Sequence, residues 1–251
     1  MTDNANISKA PSVALIGLAS CFGCQINITN VEAHLMEVLG QIDMRHWQLT
    51  SSEPMPEDID VAVIEGAVTT EEAERVVRQL RERAAAVMTI GACAATAGIP
   101  GMAAPHYYAR QQDVYGDAVP AIVSDIAYKP RPVCDIVEVD YEVPCCPIDP
   151  YDFVAVLQRA LYGSNVYRRT STLCGECKRN EQGCFYGRET LCLGLVTRSG
   201  CGARCPNLGR PCNGCAGVSP DANVDAARRA AERSNISVAS FDKALEMFNT
   251  L

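Results

Sequence analysis

The sequence is short of positive charge, of histidine and of long apolar runs. Lys and Arg number 22 against 30 Asp and Glu, a formal net charge of −8. That balance argues against general nucleic-acid binding, which needs a basic surface. No stretch approaches the ~18–20 apolar residues that span a bilayer, so membrane insertion is not expected. The polar segment Met1–Pro11 lacks the apolar core of a signal peptide and no twin-arginine leader is present, so the expected compartment is the reducing cytoplasm. Neither a Walker loop nor a G-x-G-x-x-G string occurs, which leaves nucleotide binding without support. The three histidines, His34, His46 and His106, have no ligand spacing and read as surface or core residues.

Against these absences stand 14 cysteines. The rest of the composition, 48% hydrophobic and 21% charged, is that of a globular chain able to bury its own core. In a reducing compartment structural disulfides are rare, and clustered thiols usually bind metal. Six cysteines are spread over the first 150 residues: Cys21, Cys24, Cys93, Cys134, Cys145 and Cys146. Eight crowd into residues 174–215: Cys174, Cys177, Cys184, Cys192, Cys201, Cys205, Cys212 and Cys215. Eight thiolates divide naturally into two four-ligand sites. The Cys174/Cys177 and Cys212/Cys215 pairs would suit zinc, since zinc and iron–sulfur clusters both accept four thiolates. The dense spacing and scarcity of strand signals fit a loop-rich wrap around a bulky cluster better than a zinc ribbon. Between residues 168 and 215 eight Arg or Lys stand against three Glu. A basic surround offsets an anionic thiolate cluster, although a solvated or partner-binding face would carry the same charge.

The apolar pattern predicts a parallel α/β domain. Residues 12–20, 45–50, 60–68, 86–90 and 133–143 read as strands, and residues 25–39 carry helical spacing. Thr69 and Glu72 match a capping box before the amphipathic run Ala73–Ala84. Residues 100–132 are rich in Pro and Tyr and read as loop, Asp149 reads as the cap of a helix reaching Tyr162, and two short helices are expected near Asn223–Arg233 and Val238–Asn249. Trp47 and the tyrosines of Tyr107–Tyr115 read as packing or subunit contacts. Strands alternating with helices imply a doubly wound sheet, whose ligands sit beyond the carboxyl ends of the strands. Cys21, Cys24, Cys93 and Cys146 each follow an expected strand on that edge, so four cysteines distant in sequence converge. Gly23, Gly91, Gly98 and Gly101 beside them would let backbone approach a cluster closely, or serve ordinary turns.

At these residues the sequence resembles the small subunits of nickel–iron hydrogenases of the cytoplasmic type, from about Val13 to Gly217. The resemblance is carried by Ser20-Cys21-Phe22-Gly23-Cys24, Ile64-Glu65-Gly66-Ala67, Gly91-Ala92-Cys93-Ala94 and Val143-Pro144-Cys145-Cys146-Pro147. The most specific string runs from Cys192 through Thr197-Arg198-Ser199-Gly200-Cys201 to Cys205-Pro206, followed by Pro211-Cys212-Asn213-Gly214-Cys215. It is similar to the sulfhydrogenase and the deazaflavin- or viologen-reducing branches. The resemblance implies a flavodoxin-like sheet domain over residues 10–165, a loop-rich iron–sulfur domain over 166–217 and a helical extension over 218–251. It also implies three [4Fe–4S] clusters: a proximal one on Cys21, Cys24, Cys93 and Cys146, a distal one on Cys174, Cys177, Cys184 and Cys192, and a medial one on Cys201, Cys205, Cys212 and Cys215. Spacing alone leaves other splits of the last eight open.

Such a subunit has no active site of its own. It would relay electrons between the nickel–iron site of a large subunit and a further flavin or iron–sulfur subunit. Cys134 and Cys145 are left over, and Cys145 stands where the family commonly has glycine. Cys145 could be a spectator thiol, a substitute for Cys146, or an adjunct of the proximal cluster. Glu65, at the end of a strand on the ligand edge, could bond backbone amides or relay protons. The rival readings are an iron–sulfur adaptor in a complex without nickel–iron, and a zinc-bound structural protein. The cluster-bearing small subunit of respiratory complex I shares the proximal motif but lacks the eight-cysteine tail.

Overall fold

Two apolar runs, Val13–Ile16 and Val61–Ile64, form the centre of a five-stranded parallel sheet. The structure is a computed structural model that describes residues 10–102, 113–118, 129–164, 169–178, 181 and 183–248, without the side chains of 32–35. The strands are β1 (Ser12–Gly17), β2 (Asp43–Trp47), β3 (Ile59–Glu65), β4 (Ala84–Ile90) and β5 (Tyr141–Val143), in the order β2-β1-β3-β4-β5. This is the flavodoxin-like doubly wound order. Register runs in step from Val13 opposite Val61 to Gly17 opposite Glu65, and from Val61 opposite Ala86 to Glu65 opposite Ile90.

Side chains on a strand alternate between its faces, and here both faces are covered. On one face Val13, Leu15, Val61, Val63, Met88 and Ile90 pack with helices α1 (Gly23–Thr29), α2 (Glu32–Leu39) and α5 (Pro150–Leu161). On the other, Ala14, Ile16, Ala62, Ile64 and Val87 meet α3 (Glu71–Arg83) and α4 (Gly91–Thr96). The Asp149 carboxylate accepts from the amides of Tyr151 and Asp152, with Pro150 in the first turn of α5. Such a cap is worth about 1 kcal/mol.

Several expectations need correction. The helix expected over 25–39 breaks at Asn30-Val31, where Thr29 Oγ1 donates to Ile26 O and Asn30 Nδ2 to Asn27 Oδ1. These short polar side chains compete with the helical backbone for partners. Thr70, rather than Thr69, caps α3 by accepting from Ala73 N at 3.0 Å. The expected strand 133–143 is a strand only at Tyr141–Val143. Before it, Val133, Ile136 and Val139 are buried at three-residue intervals against the α3 side, starting from the turn Val133–Asp135. Trp47 is core, its Nε1 donating to the buried Gln25. Most of the expected 100–132 loop, including His106 and Tyr107, lies outside the described residues, as do Arg168 and Arg179.

The described residues between Arg169 and Gly217 are mainly loop and single turns. Thr172 bridges Arg198, and Thr197 bridges Val218. Helices α6 (Val224–Arg233) and α7 (Val238–Glu246), capped by Asn223 and Ser237, bury Ala227, Ala231, Phe241 and Leu245 against Leu193 and Val196. The C-terminal helices thus pack directly on the cysteine-rich segment. Arg198 pairs with Glu142 of β5 and Arg169 with Asp152 of α5, tying that segment to the sheet domain, while Arg169 also pairs with Glu176 within it. Among the described residues no helix is long and apolar enough to cross a membrane.

Candidate metal centres

Parallel strands bring their carboxyl ends to one edge, and the first group of cysteines gathers there. Cys21 and Cys24 follow β1, with Cys24 in the first turn of α1; Cys93 lies in α4 directly after β4, and Cys146 follows β5. The Cys24 thiol is pushed well up by burial, against a backbone hydrogen bond from Ile148, with Glu65, Cys146 and Cys93 adding to the rise. Burial pushes Cys93 up to about 11, and Cys146 and Cys21 reinforce it. Cys146 is raised by burial first, then by Cys215, Cys21 and Glu65. Cys24, Cys93 and Cys146 are therefore neighbours that hold their protons, which a metal would have to displace, and Cys21 lies beside Cys93 and Cys146.

Two backbone features fix this edge. Gly91 sits at φ +81°, and a Cβ there would lie 2.5 Å from Cys24 Sγ. Only glycine lets the β4–α4 turn come so close to the thiol. Glu65, 1% exposed, accepts from Cys24 N at 3.1 Å and Gln25 N at 3.3 Å. Its two oxygens thus satisfy amides in the first turn of α1, which is the structural alternative raised from the sequence. Glu65→Gln replaces one acceptor by a donor facing an amide and is expected to cost about 1–3 kcal/mol. The check is the chain's chemical-denaturation midpoint; an unchanged midpoint would return the carboxylate to proton relay.

The second group, Cys174, Cys177, Cys184 and Cys192, lines a cavity of about 480 Å³. Burial pushes Cys174 up to about 11, with Cys192, Cys177 and Cys184 reinforcing it. Tyr186 lines the same cavity, and its hydroxyl is buried with no hydrogen-bond partner among the described residues.

The third group is Cys201, Cys205, Cys212 and Cys215. Cys205 is raised by burial, then by Cys215 and Cys201. Burial pushes Cys212 up to about 12, although Thr197 and the Gly214 amide bond its sulfur. This group touches both others. Cys212 N donates to Cys192 Sγ at 3.2 Å, and the Cys146 backbone donates to Cys215 Sγ.

Cys145 faces the third group rather than the first. It is 7% exposed at φ +107°, and its carbonyl accepts from Ala92 N at 2.8 Å. Hydrogen bonds to Cys201 and Cys215 hold its proton on; the same bond from Cys145 lowers Cys201 to about 6 and lowers Cys215. The expectation of an adjunct to the proximal group did not anticipate this orientation. Cys134 is exposed on the turn Val133–Asp135. His46 bonds the Glu53 carbonyl through Nδ1. All fourteen thiols are free of disulfides.

The donor set fits a multi-atom group. Around a single zinc, four sulfurs would sit about 3.8 Å apart. Among the described residues no three Cys, His, Asp or Glu side chains are placed to hold one ion. A cavity of about 480 Å³ walled by four thiols and a partnerless hydroxyl suits an iron–sulfur cluster, whose sulfurs accept hydrogen bonds.

Comparison with known proteins agrees with this geometry. Residues 21–160 match the family described as NADH ubiquinone oxidoreductase, 20 Kd subunit. That match takes in the first cysteine group and stops before the tail. Two relatives extend further. The sulfhydrogenase 2 subunit delta of Pyrococcus furiosus is 33% identical over 82% of this chain and 86% of its own length. A subunit of the F420-non-reducing hydrogenase vhu of Methanocaldococcus jannaschii is 29% identical, covering 96% of this chain and 92% of its own. A chain in the crystal structure of an NAD+-reducing [NiFe]-hydrogenase in the H2-reduced state superposes with a TM-score of 0.58 at 25% identity, over 64% of this chain and 96% of that one. The chain belongs to the family of nickel–iron hydrogenase small subunits.

Proposed function

We propose that this chain is the electron-relay small subunit of a cytoplasmic nickel–iron hydrogenase. It would carry electrons through three [4Fe–4S] clusters between a large subunit's nickel–iron site and a further flavin or iron–sulfur subunit. Cys21, Cys24, Cys93 and Cys146 would hold the proximal cluster, Cys201, Cys205, Cys212 and Cys215 the medial one, and Cys174, Cys177, Cys184 and Cys192 the distal one. The reading divides the chain into a sheet domain over 10–165, a two-cluster domain over 166–217 and a helical extension over 218–251.

The observation that carries this reading is the four-thiol cavity of about 480 Å³ with its partnerless hydroxyl. The amide contacts from Cys146 to Cys215 and from Cys212 to Cys192 support placing the third group between the other two. When bound, such clusters supply one-electron transfer. The chain's own residues hold the sulfur ligands, keep water from the buried thiols, and tune potential through amide hydrogen bonds to sulfur. Cys212 N and Gly214 N are two such donors.

The test is iron, acid-labile sulfide, zinc and nickel in the complex purified anaerobically through a tag on this chain. About twelve iron and twelve sulfide per chain are expected from four irons at each four-thiolate site, with about one nickel from a co-purified subunit. Iron without nickel would keep the relay and make the chain an adaptor. Zinc without sulfide would overturn the reading.

A further inference from the structure

The hydroxyl of Tyr186 is a polar group that the ligand reading does not use. Tyr186 lies two residues beyond Cys184, in the turn Phe185–Arg188, and its ring packs against the apolar cluster of Leu193, Phe241 and Leu245. That packing anchors the ring, because Phe241, on α7, is fully buried in a cluster shared with Ala227 and Ala231 of α6. The hydroxyl lines the cavity walled by Cys174, Cys177, Cys184 and Cys192, where the sulfurs of Cys192, Cys174 and Cys184 are its electrostatic neighbours. It is buried, and among the described residues no group accepts its proton.

A buried hydroxyl without a partner is costly, and buried polar groups are nearly always bonded to something. Four sulfurs wall this cavity, three of them near enough to act on the hydroxyl electrostatically, and each can accept its proton, either as a thiolate or as part of the group they hold. Donation to sulfur favours the reduced state, because that state carries the additional electron on iron and sulfur. Phenylalanine would fill the same apolar contacts, so packing alone does not call for a hydroxyl here.

We propose that Tyr186 Oη donates a hydrogen bond to a sulfur of the cluster held by Cys174, Cys177, Cys184 and Cys192, and so holds that cluster's potential above the value its four thiolates set alone. The proposal rests on the three-cluster reading. Tyr186 is a tuning residue, with no chemistry of its own. Higher potential at the end of the relay farthest from the proximal group would draw electrons outward during hydrogen oxidation.

Tyr186→Phe removes the donor and keeps the ring. The measurement is an EPR-monitored redox titration of the anaerobically purified complex, with iron counted on the same sample. One cluster's midpoint potential is expected to fall while the other two stay fixed. The ratio of reduced to oxidised cluster at fixed poise should drop on the order of tenfold, about 59 mV for one electron. Full iron with an unmoved potential would overturn the proposal alone. Iron short of three clusters in the unsubstituted complex would overturn the three-cluster reading and the proposal with it. Should Tyr186→Phe fail to retain its cluster, 3-fluorotyrosine placed at position 186 keeps the shape and strengthens the donor. That substitution is expected to raise the same potential, and no shift would overturn the proposal.

Discussion

Cys93→Ala is expected to leave a folded chain that has lost one cluster and most of its hydrogen-dependent electron transfer. Cys93 occupies the first turn of α4, between the buried Ala92 and Ala94, and is itself only half-buried. Alanine is the best helix former, so α4 and the cores on either side of the sheet should survive. The thiol, by contrast, is surrounded by Cys146, Cys21 and Glu65, the groups of the first metal centre. Iron should fall from about twelve to about eight atoms per chain. Dye reduction by hydrogen should fall by more than the roughly 10–100-fold that follows loss of a group merely supporting a metal ligand. Circular dichroism should stay unchanged. Unaltered uptake with full iron would remove Cys93 from the ligand set.

Gly91→Val should do comparable damage through the backbone. Two costs add at this position. A non-glycine residue in left-handed backbone costs about 1–2 kcal/mol. The added Cβ also meets Cys24 Sγ at 2.5 Å, in a site where Cys24 is core and Glu65 bonds its amide. Either the thiol leaves its place or the β4–α4 turn shifts, and both disrupt the first centre. Gly202→Ala is the control, with φ at +63° and nothing within 4 Å of the added carbon. It should show the backbone cost alone. The expected outcome is loss of iron and several degrees of thermal stability in Gly91→Val, at about 2–4 °C per kcal/mol for a chain of this size. Gly202→Ala should keep its iron. Equal behaviour of the two variants would show that the close approach to Cys24 has no consequence.

Much of the sheet was legible from sequence because β1, β3 and β4 are short apolar runs that end in or run into glycine. Ile59–Glu65 and Ala84–Ile90 are buried on both faces, and no other local pattern competes there. The convergence of Cys21, Cys24, Cys93 and Cys146 followed once the strands were read as parallel. Elsewhere local pattern misled. Val133, Ile136 and Val139 look like strand residues by type, yet their burial repeats every third position. The break at Asn30 depends on side-chain bonds that spacing does not reveal. Adjacent threonines at 69 and 70 made the cap ambiguous, and the Ala73 amide selects the second.

The centres were legible less evenly. Tyr186 stands two residues after Cys184, so its proximity to that group could have been noted. That its hydroxyl is buried without a partner required the packing of α6 and α7. Nothing local told that Cys145 turns toward Cys201 and Cys215, which lie more than fifty residues away.

That last contact couples the sheet to the tail. Cys145 occupies backbone at φ +107°, a conformation glycine adopts at no steric cost. Its thiol is covered where the tail segment carrying Arg198, Ser199 and Gly200 lies over the end of β5. In a homologue ending before the tail, a cysteine at this place would keep its backbone penalty, lose its two sulfur neighbours and meet oxidants directly. Cys145 therefore ties the end of β5 to the tail: the sheet's ligand edge depends on the cysteine-rich segment for shelter, a dependence that glycine at the same position would not create.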